Sequence, residues 1–203
     1  MTAELFSLKD NVLYEKNIKK AAKALLRGVI VAFPTETVYG IGVNADDGTA
    51  IDSLYRLKQR PRDKKLAVII NEADDIIKYV KDMPQIARKL MDSFWPGPLT
   101  IVFTLPDNDT IGFRNSANHV VRDLIKCAGV PIVSTSANIS GRPPATDAQQ
   151  VKVDLDDSVG VILDGGPTRS EIPSTVVRIK GETFEIIRHG IINEERIYRC
   201  INK

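Results

Sequence analysis

The sequence predicts one α/β domain on a mixed sheet, and three observations carry that prediction. Segments with apolar residues at helical spacing alternate with short runs rich in Val and Ile. The last three such runs follow one another with no helical segment between them, which implies antiparallel neighbours in the sheet. The 203 residues contain no internal repeat and no Gly/Ser/Pro-rich linker. A single domain over 1–203, with its core at about 14–191, is therefore expected.

Each element has its own signal. Tyr14 to Arg27 place Ile18, Ala21, Ala22, Leu25 and Leu26 at helical spacing, and Gly28 stops the run. VIVAF (29–33) is a buried strand ended by Pro34, which has no amide to donate to a ladder. Thr49–Gln59 is a helix with Ile51, Leu54 and Tyr55 on one face. LAVII (66–70) is a strand, and Asp74–Val80 and Gln85–Phe94 are helices. WPGP turns the chain into the strand LTIVFTL (99–105). Residues 118–128 are helical, and PIVST is a strand. VGVIL, STVVRI and FEIIRH are the late strands, and a short helix closes the chain.

Composition excludes several classes. A formal net charge of +2 is low for a general nucleic-acid binder, so affinity for a polyanion must come from a local patch. Cys127 and Cys200 have no cysteine or histidine near them, which fits reduced thiols better than a zinc site or a disulfide framework. The N-terminus shows no basic-then-apolar leader, and no apolar run reaches the ~18 residues of a membrane span. A cytoplasmic protein is expected.

Four stretches carry candidate chemistry. YGIGVNA (39–45) contains Gly-x-Gly-x-x-Ala, but PTETVY separates it from the preceding strand and no helix opens at Gly42, so a dinucleotide site is not expected. There is no P-loop and no Gly-x-Ser-x-Gly elbow. FPTETVYG (33–40) sets Thr35, Glu36, Thr37 and Tyr39 at a strand's C-terminal end, where open α/β sheets bind ligands; turn chemistry is the plainer alternative. KQRPRDKK (58–65) packs five cations into eight positions. Pro61 forbids a simple helix there, so Lys58, Arg60 and Lys64 are expected to splay from a loop onto one polyphosphate, unless the run is only a solvated face. STSANISG (134–141) has the small hydroxyl and amide residues of an anion-binding nest, or of an Asn/Ser turn capping a helix. Arg114, at the end of TIGFR, suits a small carboxylate. This inventory fits nucleotidyl transfer, where catalysis is mostly positioning and charge stabilisation.

GVIVAFPTETVYGIG, KQRP, WPGPLT, STSANISG and the late strands with Arg188 and Gly190 resemble the YrdC-type threonylcarbamoyl-AMP synthases, over roughly Ala21 to Ile191. The paired signatures are Lys58/Arg60 and Ser136/Asn138. The resemblance implies a twisted sheet, mostly parallel and partly antiparallel, flanked by helices and presenting a concave cationic face. It implies that L-threonine, bicarbonate or carbon dioxide, and ATP give L-threonylcarbamoyl-AMP, pyrophosphate and water. A separate transferase complex then modifies tRNA, which could itself bind this protein. Carried over by position, Thr37, Arg114, Ser136 and Ser174 contact threonine. Arg60, Lys64, Thr110, Asn138, Thr146 and Arg188 hold ATP, with Lys58 and Arg60 at the phosphates as the catalytic pair. Mg²⁺ arrives with ATP, and no permanent metal site is implied. The chain departs from the family pattern at Ile69, where many relatives have histidine, and at Pro173, where many have an acid. It also has Asn115-Ser116 in place of an apolar-proline pair, and His189 within Arg-His-Gly.

ISGRPPATD (139–147), rich in Gly and Pro, is the expected mobile cover over a labile carbamate. Two other readings remain open: an RNA-binding module using the cationic face without catalysis, and carbamoyl transfer from carbamoyl phosphate.

Overall fold

The strands are β1 (Glu4–Ser7), β2 (Val31–Phe33), β3 (Gly40–Asn44), β4 (Ala67–Ile70), β5 (Leu99–Thr104), β6 (Thr110–Asn115), β7 (Ile132–Ser136), β8 (Val161–Asp164), β9 (Thr175–Lys180) and β10 (Thr183–Arg188). The helices are α1 (Asn11–Leu26), α2 (Gly48–Lys58), α3 (Gln85–Phe94), α4 (His119–Ala128), α5 (Ala148–Leu155) and α6 (Glu194–Ile201). The structure is a computed structural model and describes residues 2–155 and 158–202. All ten strands join one sheet, in the order β1-β8-β2-β3-β7-β4-β6-β5-β9-β10.

The mixed sheet expected from the sequence is present, but its balance differs from the mostly parallel one the resemblance implies. Only β1-β8, β2-β8, β4-β6 and β5-β9 pair in parallel; the other five pairings are antiparallel. The reason lies in connections too short for crossovers, such as those between β2 and β3 and between β5 and β6.

Local chemistry sets the boundaries. Helix α1 begins three residues before the expected Tyr14 because Asp10 caps it, accepting a bond from the Val12 amide at 2.8 Å. Asp47 caps α2 in the same way through the Ala50 amide, and Gln59 ends it in a left-handed conformation at φ 49°. The expected helix at 74–80 is a 3-10 helix over Ala73–Lys78, held by a reciprocal cap between Glu72 and Asp75. Strand β1, strand β3 and helix α5 have no counterpart in the sequence reading, and β6 has only TIGFR, the segment that Arg114 ends. Two glycines give GIGVN little strand propensity of its own.

Those glycines answer a packing demand. A Cβ on Gly42 would lie 2.3 Å from Ile132 Cγ2 and 2.9 Å from the Val133 carbonyl oxygen, and one on Gly40 would lie 2.9 Å from the Phe33 ring. The Gly-x-Gly pair therefore lets β3 pass beneath Phe33 and beside β7, and it opens no helix.

Successive residues in a strand face opposite sides of the sheet. On one side Ala32, Ile41, Val68, Phe113, Ile101 and Val177 form a core that continues into α2, α3, α5 and α6. On the other side Val31, Phe33, Ile132, Val161 and Leu163 pack against α1 and α4. That second layer stops at Ile69 of β4. Beyond it the same face carries Ala67, Gly112, Thr100, Val102, Val176 and Arg178, and it lines an open cleft.

Gly42→Ala should lose about 1–3 kcal/mol of stability through overpacking. Gly112→Ala should be nearly neutral, because its nearest contacts begin at an ordinary 3.4 Å. Urea denaturation of the two variants checks this, and equal losses would contradict the packing account.

Candidate active site

The open half of the sheet forms the floor of a cleft of about 660 Å³. Register explains which side chains meet there. Ala67 pairs with Gly112, Ile69 with Arg114, Val102 with both Gly112 and Arg178, and Val176 with Arg188. The connection from β2 to β3 supplies Thr35 and Thr37, and the loop after α2 supplies Arg60, Asp63, Lys64 and Lys65.

Eight of the eleven residues expected in the site line this cleft: Thr37, Arg60, Lys64, Thr110, Arg114, Ser136, Ser174 and Arg188. Lys58, Asn138 and Thr146 do not. Thr146 is half-buried outside it, its backbone amide donating to Gln150 Oε1 at 3.1 Å and its carbonyl accepting from the Thr168 amide at 2.8 Å.

Lys58 is the main correction. It does not splay from a loop onto the cleft. Helix α2 runs through Lys58, and the side chain is only 2% exposed. Its Nζ donates to the Ser136 carbonyl at 2.9 Å, and to the Asn138 carbonyl and Oδ1 at 2.6 Å each. Ser136 Oγ donates to the same Asn138 Oδ1 at 2.7 Å, and Asn138 Nδ2 donates to the Arg142 carbonyl. The two signature pairs are thus one hydrogen-bonded knot. Burial, and then the charge of Arg60, lower the Lys58 pKa to about 8.

The other cations of KQRPRDKK part company. Arg60 Nε and Nη2 donate to the Lys64 and Lys65 carbonyls at 2.7 and 3.0 Å, which folds the loop around the guanidinium. Arg62 turns away, paired with Asp52 at 2.6 Å and stacked over Tyr55. Lys65 pairs with Asp109 at 3.0 Å.

At the other end of the cleft, Arg114 Nη2 donates to Glu36 Oε1 at 2.8 Å and to Thr37 Oγ1 at 3.0 Å. Ser116 donates to the second Glu36 oxygen. Burial raises the Glu36 pKa, but the Arg114 charge and the bonds from Arg114 and Ser116 outweigh it, and the net shift is downward. Reading Arg114 as suited to a small carboxylate therefore missed the carboxylate it already holds within the protein. Spacing could not reveal that partner, because Glu36 and Arg114 are 78 residues apart. Arg114 Nε stays buried without a partner. Arg188 Nη2 donates to the Ser174 carbonyl and hydroxyl at 2.9 Å each, and Ser174 Oγ shares a 3.0 Å bond with Thr100. Although Arg188 is exposed as a residue, desolvation of its guanidinium lowers its pKa, followed by the charges of Arg114 and Arg60.

None of residues 139–147 lines the cleft, so the structure does not place the expected cover over it. Ala145 is buried and bonded to both Tyr39 and Ala137. Among the described residues no group of three or more His, Cys, Asp or Glu could hold a metal ion, and no helix is long and apolar enough to cross a membrane.

The Lys58 shift has a sign. Between pH 8 and its ordinary 10.5, the unfolded chain binds more protons at this site than the native one. Stability of the natural protein relative to Lys58→Met should therefore rise with pH across that window, by at most about 1.4 kcal/mol per unit. Urea titrations of both proteins from neutral to alkaline pH measure it, and a flat difference would refute the burial assigned to Lys58.

Comparison with known proteins places this geometry. The Sua5/YciO/YrdC family model, described as telomere recombination, matches residues 23–190. A Bacillus subtilis protein named threonylcarbamoyl-AMP synthase is 37% identical over 197 residues, covering 92% of this chain and 57% of that one. A Vibrio campbellii protein of the same name is 33% identical, covering 86% of this chain and all of the relative. The crystal structure of Pyrococcus abyssi Sua5 complexed with L-threonine superposes with a TM-score of 0.92 at 34% identity, covering 98% of this chain. The chain spans 61% of the length of that Sua5. By match length, identity and fold, the chain belongs to the Sua5/YciO/YrdC family.

Proposed function

We propose that the protein is an L-threonylcarbamoyladenylate synthase, making L-threonylcarbamoyl-AMP, pyrophosphate and water from L-threonine, bicarbonate or carbon dioxide, and ATP. The charge imbalance of the cleft carries this reading. Six basic side chains and one acidic one line it. Two of the six are neutralised, Arg114 by Glu36 and Lys65 by Asp109. Arg60, Lys64, Arg178 and Arg188 have no ion-pair partner among the described residues. A triphosphate supplies the missing negative charge. The names of the two synthases, and threonine in the Pyrococcus structure, support the same substrates.

In the reaction, the deprotonated threonine amine adds to carbon dioxide and forms a carbamate. A carbamate oxygen attacks the α-phosphorus of ATP; the bond to the bridging oxygen breaks and pyrophosphate leaves. Dehydration of bicarbonate accounts for the water. Arg60, Lys64 and Arg188 oppose the charge that grows on the phosphoryl oxygens, most effectively where water is sparse. Lys58 acts one step back, by fixing Ser136 and Asn138. Arg114 meets the threonine carboxylate with the donors that Glu36 and Thr37 leave free, while Thr37, Ser136 and Ser174 contact the rest of the amino acid. Mg²⁺ enters as part of the ATP substrate. Transfer of the product to tRNA falls to a separate complex, in the cytoplasm.

The decisive experiment mixes protein, Mg-ATP, bicarbonate and threonine and looks for the carbamoyl-adenylate. Pyrophosphate release should need threonine and bicarbonate together; full-rate release from ATP alone would make the protein a hydrolase. RNA binding with steep salt dependence, and no threonine-dependent turnover, would favour the nucleic-acid reading.

Arg114→Ala should weaken threonine roughly 30-fold or more while sparing ATP. Threonine methyl ester, lacking the carboxylate charge, should bind poorly to both proteins. Calorimetry with a non-hydrolysable ATP analogue present compares the four cases. Equal losses for acid and ester would reassign Arg114 to holding Glu36.

A further inference from the structure

We propose that Arg178, absent from the site read in the sequence, holds the terminal phosphates of the nucleotide, the part that departs as pyrophosphate; the inference rests on the adenylation reading above. Arg178 stands in β9 on the open face and lines the cleft. Its register partners are Val102 on β5 and Glu185 on β10. Neither satisfies it. Val102 is apolar, and Glu185, although its carboxylate feels the Arg178 charge, makes its ion pair with Lys180 at 2.7 Å. Among the described residues the Arg178 side chain makes no hydrogen bond or ion pair, and its Nε is buried without a partner. An orphaned donor on a charged group is a cost to the free fold. Arg60, Lys64 and Arg188 in the same cleft add like charge to it. A bound anion removes both costs at once.

The strand register says which anion. Of the proposed threonine contacts, Arg114 lies in the row of Thr100, Val176 and Arg188, and Ser174 lies two residues before Val176, on the side away from Arg178. Val176 opposes Arg188, and Arg178 lies two residues further along β9, about 7 Å beyond that row. Attack and departure at phosphorus are roughly in line. The leaving group must then lie on the far side of the α-phosphorus from the amino acid, which is the direction of Arg178. Across the cleft, Ala67, Gly112, Val102 and Arg178 are consecutive register partners. Three strand spacings, about 14 Å, separate the two ends of that row. The loop bearing Arg60 and Lys64 leads into the β4 end. Small and apolar side chains floor the row, and cations stand at its two ends. A phosphate chain fits between them, gripped from both sides.

The test compares the natural protein with Arg178→Gln and Arg178→Lys by calorimetry at fixed ionic strength, using Mg-ATP, inorganic pyrophosphate and AMP. Arg178→Gln should lose roughly tenfold or more in affinity for ATP and for pyrophosphate, while AMP changes little. Arg178→Lys should recover part of the loss, since charge returns without the planar fork. Melting temperature of the free Arg178→Gln protein should not fall below that of the natural protein, because the variant loses an unpaired buried donor. Unchanged ATP and pyrophosphate affinities in Arg178→Gln, with the natural protein binding both, would overturn this inference and leave the adenylation reading standing. Equal losses for ATP and AMP would also overturn it, moving Arg178 to the α-phosphate or to the fold. If the natural protein binds no ATP at all, both readings fall together.

Discussion

The structure depends on an unequal division of cover. Ten strands in one sheet present two broad faces, and the helices shield only one of them from end to end. Helices α1 and α4 shield the second face as far as Ile69, and there the apolar layer stops. A bare half-sheet of valines would be an aggregation surface. Here only Val102 and Val176 stand on the exposed rows among Ala67, Gly112, Thr100 and the arginines, so leaving them open forfeits little hydrophobic stabilisation. The cleft is the unfilled half of a two-layer core. Its rigid floor comes from the same strands whose opposite faces hold Val68, Phe113, Ile101 and Val177 in the main core. Side chains placed by strand register have little freedom to drift, which is what a reaction dominated by positioning requires.

Lys58 ties that floor to its rim. Three acceptors, all from Ser136 and Asn138, surround one ammonium, so the end of α2 and the turn after β7 are fixed to each other across about 80 residues of sequence. An apolar residue there would leave the Asn138 carbonyl unpaired, at roughly 1–3 kcal/mol, while the Ser136 carbonyl would keep only the Asn138 amide at 3.0 Å. The cationic loop begins immediately after this anchor. Arg60 then wraps the loop around its own guanidinium through the Lys64 and Lys65 carbonyls. Backbone carbonyls take up donors on two of the most prominent cations, and the protein spends basic residues on shaping the site as well as on charging it.

Much of this was legible before any coordinates. Strong periodicity located α1, α2, α3 and α4, and β-branched runs located β4, β5, β7, β8, β9 and β10. Strand β3 escaped because its two glycines read as a loop; their need for close approach is a tertiary fact, set by Phe33 and Ile132. The site residues were nominated by motif, and the cleft gathers eight of them, but spacing alone could not say which way each side chain turns. Lys58 turned inward because it is helical; Pro61, taken as the reason for a loop, acts three residues too late to free it. Glu36 was named among candidate ligand residues but given no partner, and Ser116 was given no role, for a different reason. Their meaning lies in Arg114, and that contact exists only after β6 has been laid beside β4. Arg178 belongs to no motif, lying within the strand run STVVRI, and only the half-open sheet makes its face an interior of the site.

The cations in the cleft also bear on how its two substrates speak to each other. Arg188 bonds Ser174, which belongs to the proposed threonine end, while its pKa is lowered by burial and by the charges of both Arg114 and Arg60. It therefore sits in the field of both ends. An anion placed against Arg60 would relieve that repulsion, and Arg188 would then be free to hold Ser174 more firmly. Any such gain must be mutual, because a change that nucleotide makes in amino-acid affinity is matched by the change amino acid makes in nucleotide affinity. Such a coupling would need no moving domain or cover: like charges on fixed strands, partly desolvated, would make each ligand's site less costly to occupy once the other is filled.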